Sequence, residues 1–169
     1  MATDLNSASS RSLAYWRDSA RTAGTDLVLR HSMLELLRHV GAEQVRALCY
    51  ATGVRIAADH PLDKVDRLSE LEASARQFLA ARDWGWMAIE ERPEALDFVH
   101  GCSPLRSWFG EAGLSWSSAL FEGFYAEWLR QLGAGERLAL RLVEAPGGAD
   151  DVLRFRLMHE SRFKTGVAT

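Results

Sequence analysis

His100 and Cys102, separated by a single glycine, are the closest His/Cys pair in the sequence. An imidazole and a thiol at that spacing suit a pair of metal ligands or an activated nucleophile. A zinc site, however, takes three or four such ligands, and no second pair accompanies this one. A histidine at the end of a strand, satisfied by its neighbours, accounts for the same residues. His31 and His39 stand eight positions apart, so they do not form the His-Glu-x-x-His helix of a zinc hydrolase. Glu90, Glu91, Glu94 and Asp97 gather around one turn, in a composition that mimics the paired carboxylates of a glycosidase. That chemistry requires a fixed separation across a cleft, whereas acidic groups about a turn are ordinarily solvated. No Gly-x-Ser-x-Gly elbow, Gly-x-x-x-x-Gly-Lys loop or Gly-x-Gly-x-x-Gly fingerprint occurs. The expectation is a protein that is not an enzyme and has no catalytic residue, cofactor or metal.

The aromatic residues offer binding rather than catalysis. Six tryptophans, Trp16, Trp84, Trp86, Trp108, Trp116 and Trp128, present flat apolar rings with one hydrogen-bond donor each, a combination suited to sugar rings as well as to a core. Trp116 and Trp128 fit a helical stripe and Trp84 sits where a helix gives way to a strand, so these three read as structural. Trp16 lies in a short N-terminal segment with no evident core to join.

The elements follow from periodicity. From Asp26, residues Leu29, Met33, Leu36, Leu37 and Val40 recur at helical spacing and Gly41 punctuates them. Val45, Leu48, Cys49, Thr52 and Ile56 continue a second helical face, which Pro61 ends. Asp63 is a candidate cap for a third helix carrying Val65, Leu68, Leu71, Ala75, Phe78 and Leu79 inward. After Trp84-Gly85 the period becomes alternating. Met87 and Ile89 face one way with Trp86 and Ala88 opposite, residues 92–95 turn the chain, and Leu96 to His100 returns as a hairpin. The segment from Gly101 to Gly113 is irregular, with Trp108 and Phe109 tucked against the core. In a second hairpin Leu138, Leu140 and Leu142 alternate with Arg137, Ala139 and Arg141, and Leu153, Phe155 and Leu157 with Arg154 and Arg156, about the turn Pro146-Gly147-Gly148, so that one sheet face is apolar and the other carries arginine. The fold class is therefore α+β: N-terminal helices, two β-hairpins forming a small antiparallel sheet, and a central aromatic-rich helix.

That helix, from Ser115 to Ala134, carries Trp116, Leu120, Phe121, Phe124, Tyr125, Trp128, Leu129 and Leu132 around Gly123. It has almost no free polar side, so it should be covered on more than one side, by the core or in part by another subunit. Gly123 costs about 1 kcal/mol against alanine in a helix interior, which implies close approach of another backbone or ring.

Composition bounds the rest. A chain of 169 residues with a formal net charge of −3 forms one domain and has no global basic field, so nucleic acid is not an expected partner. Lys64 and Lys164 are the only lysines, and Cys49 and Cys102 the only cysteines, too few for a disulfide framework. Residues 1–7 lack the positive and apolar regions of a secretory leader. No apolar run reaches the ~18 residues of a membrane span. A cytoplasmic protein without membrane insertion is expected. Residues 1–24 read as a flexible N-terminal arm, 25–162 as a single domain and 163–169 as a C-terminal tail.

The run Trp116-x-x-x-Leu120-Phe121-Glu122-Gly123-Phe124-Tyr125-x-x-Trp128-Leu129 resembles the aromatic helix of the family formed by the D subunits of bacterial cellulose synthase. A second block agrees: Leu71-Glu72, then Trp84-Gly85-Trp86, Ile89-Glu90-Glu91, and Leu96-x-Phe98-Val99-His100 with Pro104 after it. Residues 34–56, ending in Gly53-Val54-Arg55-Ile56, form a third, and the three together span residues 27 to 160 in order. Phe121 replaces the family's usual leucine, and the resemblance does not extend to the composition of the N-terminal extension.

The resemblance implies a non-catalytic accessory subunit of the cellulose synthase complex, near the inner-membrane synthase, assembling with itself as dimers and then an octamer. Other synthase subunits, a proline-rich or disordered one among them, and nascent β-1,4-glucan are the implied partners. The alternatives are a cytoplasmic filament-forming scaffold that binds a disordered partner without touching glucan, and a small-ligand-binding domain with a closed pocket beneath the aromatic helix. Phe121, Gly123, Tyr125 and Trp128 are the expected assembly and packing residues. Tyr15 and Trp16 in the arm, and Arg137, Arg141, Arg154 and Arg156 on one side of the second hairpin, are the candidates for contact with glucan or a partner. Like charges on neighbouring strands repel unless water, acidic groups or a partner offset them.

Overall fold

In the computed structural model, residues 23–145 and 152–164 are described. Tyr15, Trp16 and the turn residues Pro146, Gly147 and Gly148 lie outside them. Helices α1 (Ala23–Val40), α2 (Ala42–Asp59) and α3 (Leu68–Ala80) come first. Strands β1 (Trp86–Arg92) and β2 (Ala95–Gly101) follow, then the short helices α4 (Leu105–Phe109) and α5 (Leu114–Ser117) with a 3-10 turn between them. The chain continues through helix α6 (Ala119–Gln131), strands β3 (Leu138–Glu144) and β4 (Leu153–His159), and the final turn α7 (Glu160–Lys164). The strands form one antiparallel sheet in the order β1-β2-β4-β3, and the fold is α+β.

The sheet register carries out the alternation in the sequence. Ile89, Phe98, Phe155 and Leu142 lie in one row across the four strands, on the inner side with Met87, Leu96, His100, Leu153, Leu157 and Leu140. On the outer side, Glu90, Asp97, Arg156 and Arg141 form a row, as do Ala88, Val99, Arg154 and Glu144. The first hairpin closes through Pro93 and Glu94. Proline presets φ at the first turn position, and Glu94 takes the left-handed φ of 62° at the second.

Helix α6 is enclosed by the rest of its own chain. Tyr125 meets Phe98 and Phe155 of the sheet, with ring centroids 5.9 and 5.8 Å away. Phe124 and Trp128 meet Phe78 of α3 at 5.4 and 5.1 Å. The side bearing Gly123 meets α2. Phe121, Gly123, Tyr125 and Trp128 are all buried within one protomer, so the cover that the sequence led us to seek in part from another subunit comes from α2, α3 and the sheet.

The contact with α2 is backbone against backbone. A Cβ added to Gly123 would overlap the carbonyl of Tyr50, and one added to Gly53 would overlap the carbonyl oxygen of Leu120 and come within 2.8 Å of the Phe124 nitrogen. The glycine expected to admit a close neighbour thus has a reciprocal partner. The buried stripe of α2 is Val45, Cys49, Gly53 and Ala57, a row of small residues four apart. Leu48, expected on that stripe, is 44% exposed. Large side chains there would hold the two helices apart at the distance of ordinary packing.

The helix limits differ from the sequence reading in several places: α1 begins at Ala23, ahead of Asp26, and the span 101–113, read as irregular, holds the helix α4. The α3 helix begins at Leu68 after Arg67, and Asp63 lies in the irregular segment before it, too far upstream to cap. The aromatic run divides at Ser118 into α5 and α6. Ser115, Ser117 and Ser118 cluster at that point, and serine competes poorly for helix interiors because its hydroxyl satisfies backbone groups in other conformations. The other end of α6 is closed by a Schellman motif: Gly133 has φ 90°, its N–H donates to Arg130, and the Ala134 N–H donates to Leu129 at 2.9 Å.

Replacing either crossing glycine by alanine forces one carbon into an occupied backbone contact. Gly53→Ala and Gly123→Ala should each lower unfolding free energy by about 1 to 3 kcal/mol, measured by urea denaturation. Unchanged midpoints in both variants would contradict the crossing.

Candidate functional site

His100 stands at the end of β2 on the inner side of the sheet and is fully buried. Its Nε2–H donates to the Trp84 carbonyl at 2.6 Å, and its Nδ1 accepts from the Tyr125 hydroxyl at 2.9 Å, the tautomer that satisfies both partners. Burial, against the opposing hydrogen bond to Trp84, pushes its pKa down to about 4, and burial also raises that of Tyr125 well above its ordinary value. The ring is a neutral tie between the strand, the α3–β1 junction and α6. Cys102 is exposed while His100 is buried, so the two do not converge on one point. Cys49 is buried in the α2–α6 contact, which pushes its thiol up to about 11, far from the thiolate that a nucleophile requires. Among the described residues, no group of three or more His, Cys, Asp or Glu side chains is placed to hold a metal ion.

The acidic turn is drawn into ion pairs on the outer side of the sheet. Asp97 is fully buried. Arg156 reaches it through two hydrogen bonds of 2.7 and 2.9 Å, Arg92 through one of 3.2 Å, and Arg154 stands 3.5 Å away. The hydrogen bonds from Arg156 hold the Asp97 carboxyl below its ordinary range, outweighing desolvation. Glu90 accepts from Arg92 at 2.6 Å and from Arg154 at 2.7 Å, and Glu144 accepts from Arg154 at 3.2 Å. Held ionised in this way and enclosed by three arginines, Asp97 is not placed to supply the proton that glycoside hydrolysis gives to its leaving group. Glu91 and Glu94 are exposed, and Glu94 pairs with Arg162.

The four arginines of the second hairpin have different surroundings. Arg154 and Arg156 are balanced by the acids just described. Arg141 stands opposite Arg156 in the register, half exposed, with Glu122 of α6 at 3.5 Å. Arg137 precedes β3 and is exposed.

Glu122 was not singled out by sequence reasoning. Its carboxylate is almost fully buried in the most apolar helix, where Arg46 of α2 donates to it at 2.6 Å. A buried acid in such a helix requires a cation from elsewhere, and that requirement was legible. Its partner, far earlier in the chain on α2, was not. Glu43, Arg46, Ala47, Tyr50, Glu122 and Arg141 line a surface cleft of about 380 Å³. Two further clefts, of about 340 and 240 Å³, flank the end of α6 beside Leu129 and Ala134. The space between α6 and the sheet, where a closed ligand pocket would lie, is filled by Tyr125, Phe98 and Phe155.

The model of one protein family, described as the D subunit of cellulose synthase, matches residues 11–155. No curated protein matches the chain. No helix among the described residues is long and apolar enough to cross a membrane.

The buried imidazole gives stability a defined pH dependence. An unfolded histidine takes up its proton near pH 6.5 and the folded one only near 4, so the folded state loses stability as pH falls between these values, by roughly 3 kcal/mol in all. Urea denaturation from pH 7 to 4.5 should show this loss, and His100→Gln should flatten it. An equal slope in both proteins would show that another group titrates.

Proposed function

Because the chain belongs to the family of cellulose synthase D subunits and acts in cellulose biosynthesis with other synthase subunits, we propose that it is a non-catalytic accessory scaffold of that complex. In this reading it assembles with itself, as dimers and then an octamer, beside the synthase on the cytoplasmic side. There it organises secretion complexes or guides glucan chains into register. The burial of His100 and Asp97 in completed hydrogen-bond networks supports a role without bond-making chemistry.

The observation that carries self-assembly is the outward surface of the first two helices. Helix α1 runs for 18 residues, yet none of its described side chains is fully buried. It is held by partial packing and by Arg30, which donates to the Ser107 and Trp108 carbonyls of α4. Leu27 and Val28 are 57% and 66% exposed, and Leu48 and Tyr50 on α2 are 44% and 36% exposed. An isolated helix of this length is marginal in water, and its stability comes from burying an apolar side. A second copy of the chain supplies that cover here. With the aromatic helix enclosed in its own protomer, the octamer is held together through α1 and α2, while the arm with Tyr15 and Trp16, or exposed Arg137 and Arg141, meets other subunits or glucan.

Mass measurement at micromolar protein should find the octamer, and Val28→Glu with Leu48→Glu should reduce it to smaller species without lowering the melting temperature. A strictly monomeric wild-type protein would overturn the assembly.

A further inference from the structure

Trp86 opens β1 on the outer side of the sheet, and at 41% it is the most exposed tryptophan among the described residues. It stands directly across from Gly101 in the register. A Cβ added to Gly101 would overlap Cε2 and Cζ2 of the indole and lie 2.7 Å from Nε1, so the ring lies immediately on the backbone of β2. Gly101 is needed there for space, since its φ is not in the left-handed region. The ring is thus backed by the strand on one side and partly open to solvent.

What lies beside it on the same side of the sheet is ordered by type. Ala88 and Val99 come next, in one row with Arg154, followed by the row of Glu90, Asp97 and Arg156 and then by Arg92. Ala88 is small and Val99 is buried, so neither projects a free side chain beside the ring. The polar groups are fixed in place by their own ion pairs, Arg154 to Glu90 at 2.7 Å and Arg92 to Glu90 at 2.6 Å among them. The three acids Glu90, Asp97 and Glu144 offset the three bases Arg92, Arg154 and Arg156, and Arg141 at the far end of the row is paired with Glu122, so the patch has little net charge with which to draw an ionic polymer. It suits a neutral ligand that has a flat apolar side and hydroxyls at its edge.

We propose that Trp86 and the polar row beside it form a stacking platform for an extended β-1,4-linked glucan chain. The assignment rests on the reading of the protein as a component of the cellulose synthase complex and specifies where such a component touches the product. The axial C–H side of one pyranose lies on the indole, and the equatorial hydroxyls of sugars further along the chain, which follows β1, exchange hydrogen bonds with the Glu90 carboxylate and the arginine guanidinium groups. Groups already locked by ion pairs lose little freedom when the sugar arrives. One platform per protomer binds weakly, and several copies in an assembly hold one chain through combined contacts.

The full-length protein tests this with cellohexaose, by titration calorimetry and by mass-spectrometric footprinting of tryptophan oxidation. Cellohexaose should shield Trp86 from oxidation more than any other tryptophan. Trp86→Ala should weaken binding about tenfold, and Trp86→Phe should retain most of it. Should Trp86→Ala disturb folding, Ala88→Gln raises the floor beside the ring and should weaken binding with Trp86 in place. Absence of cellohexaose binding, equal binding of the bent α-linked maltohexaose, or loss of binding in Trp16→Ala but not Trp86→Ala would each overturn the platform. None of these would remove the protein from the cellulose complex, a reading that fails instead if deleting its gene leaves cellulose yield and packing unchanged.

Discussion

The crossing of α2 and α6 at Gly53 and Gly123 sets the geometry on which the remaining structure depends. With no side chain at either point, the carbonyls of Tyr50 and Leu120 come against the opposing helix backbone, and the helices lie closer than ordinary side chains allow. This approach brings Arg46 to Glu122. It also turns Phe124 and Trp128 toward α3 and Tyr125 toward the sheet. Glycine is a poor helix residue, so its presence at both positions is offset by what the close packing gains.

Around that crossing, the polar groups inside the fold serve as ties. His100 joins the Trp84 carbonyl to Tyr125, the Trp128 indole donates to the His60 carbonyl at 2.9 Å, and Glu72 of α3 accepts from the Ile89 N–H of edge strand β1 at 2.9 Å. The last of these covers one edge of the sheet and limits its pairing with foreign strands. On the outer side, Asp97 gathers three arginines that would otherwise repel one another. His100 and Asp97 are the kind of residue that a search for reactive groups picks out first, and in each case a completed hydrogen-bond set explains it.

Much of this was legible in the sequence because it follows from period and composition. The alternation of Met87 and Ile89 with Trp86 and Ala88, and of the leucines of β3 and β4 with arginine, fixed which side of the sheet is which. The density of aromatics around Gly123 required a helix covered from several sides. Long-range pairings were not legible: Gly53 stood only as one residue of a motif until its partner on α6 was known, and Asp97 looked like one of several solvated acids until β4 lay beside β2. Trp86 was placed on the correct side of its strand, but its exposure depended on Gly101 across the register. The arm residues Tyr15 and Trp16 lie outside the described residues.

The ionisable groups held in structural ties, the enclosed aromatic helix and the leucine, valine and tyrosine exposed on the first helices support the proposed reading of a protein that acts through its surfaces. Membership of the family of cellulose synthase D subunits places those surfaces within a cellulose-producing apparatus. The most direct test is the position of the native protein in cells with an intact synthase, imaged before and after deletion of the synthase catalytic subunit. The account predicts a pattern that follows the synthase and is lost on deletion. A distribution independent of the synthase would contradict it.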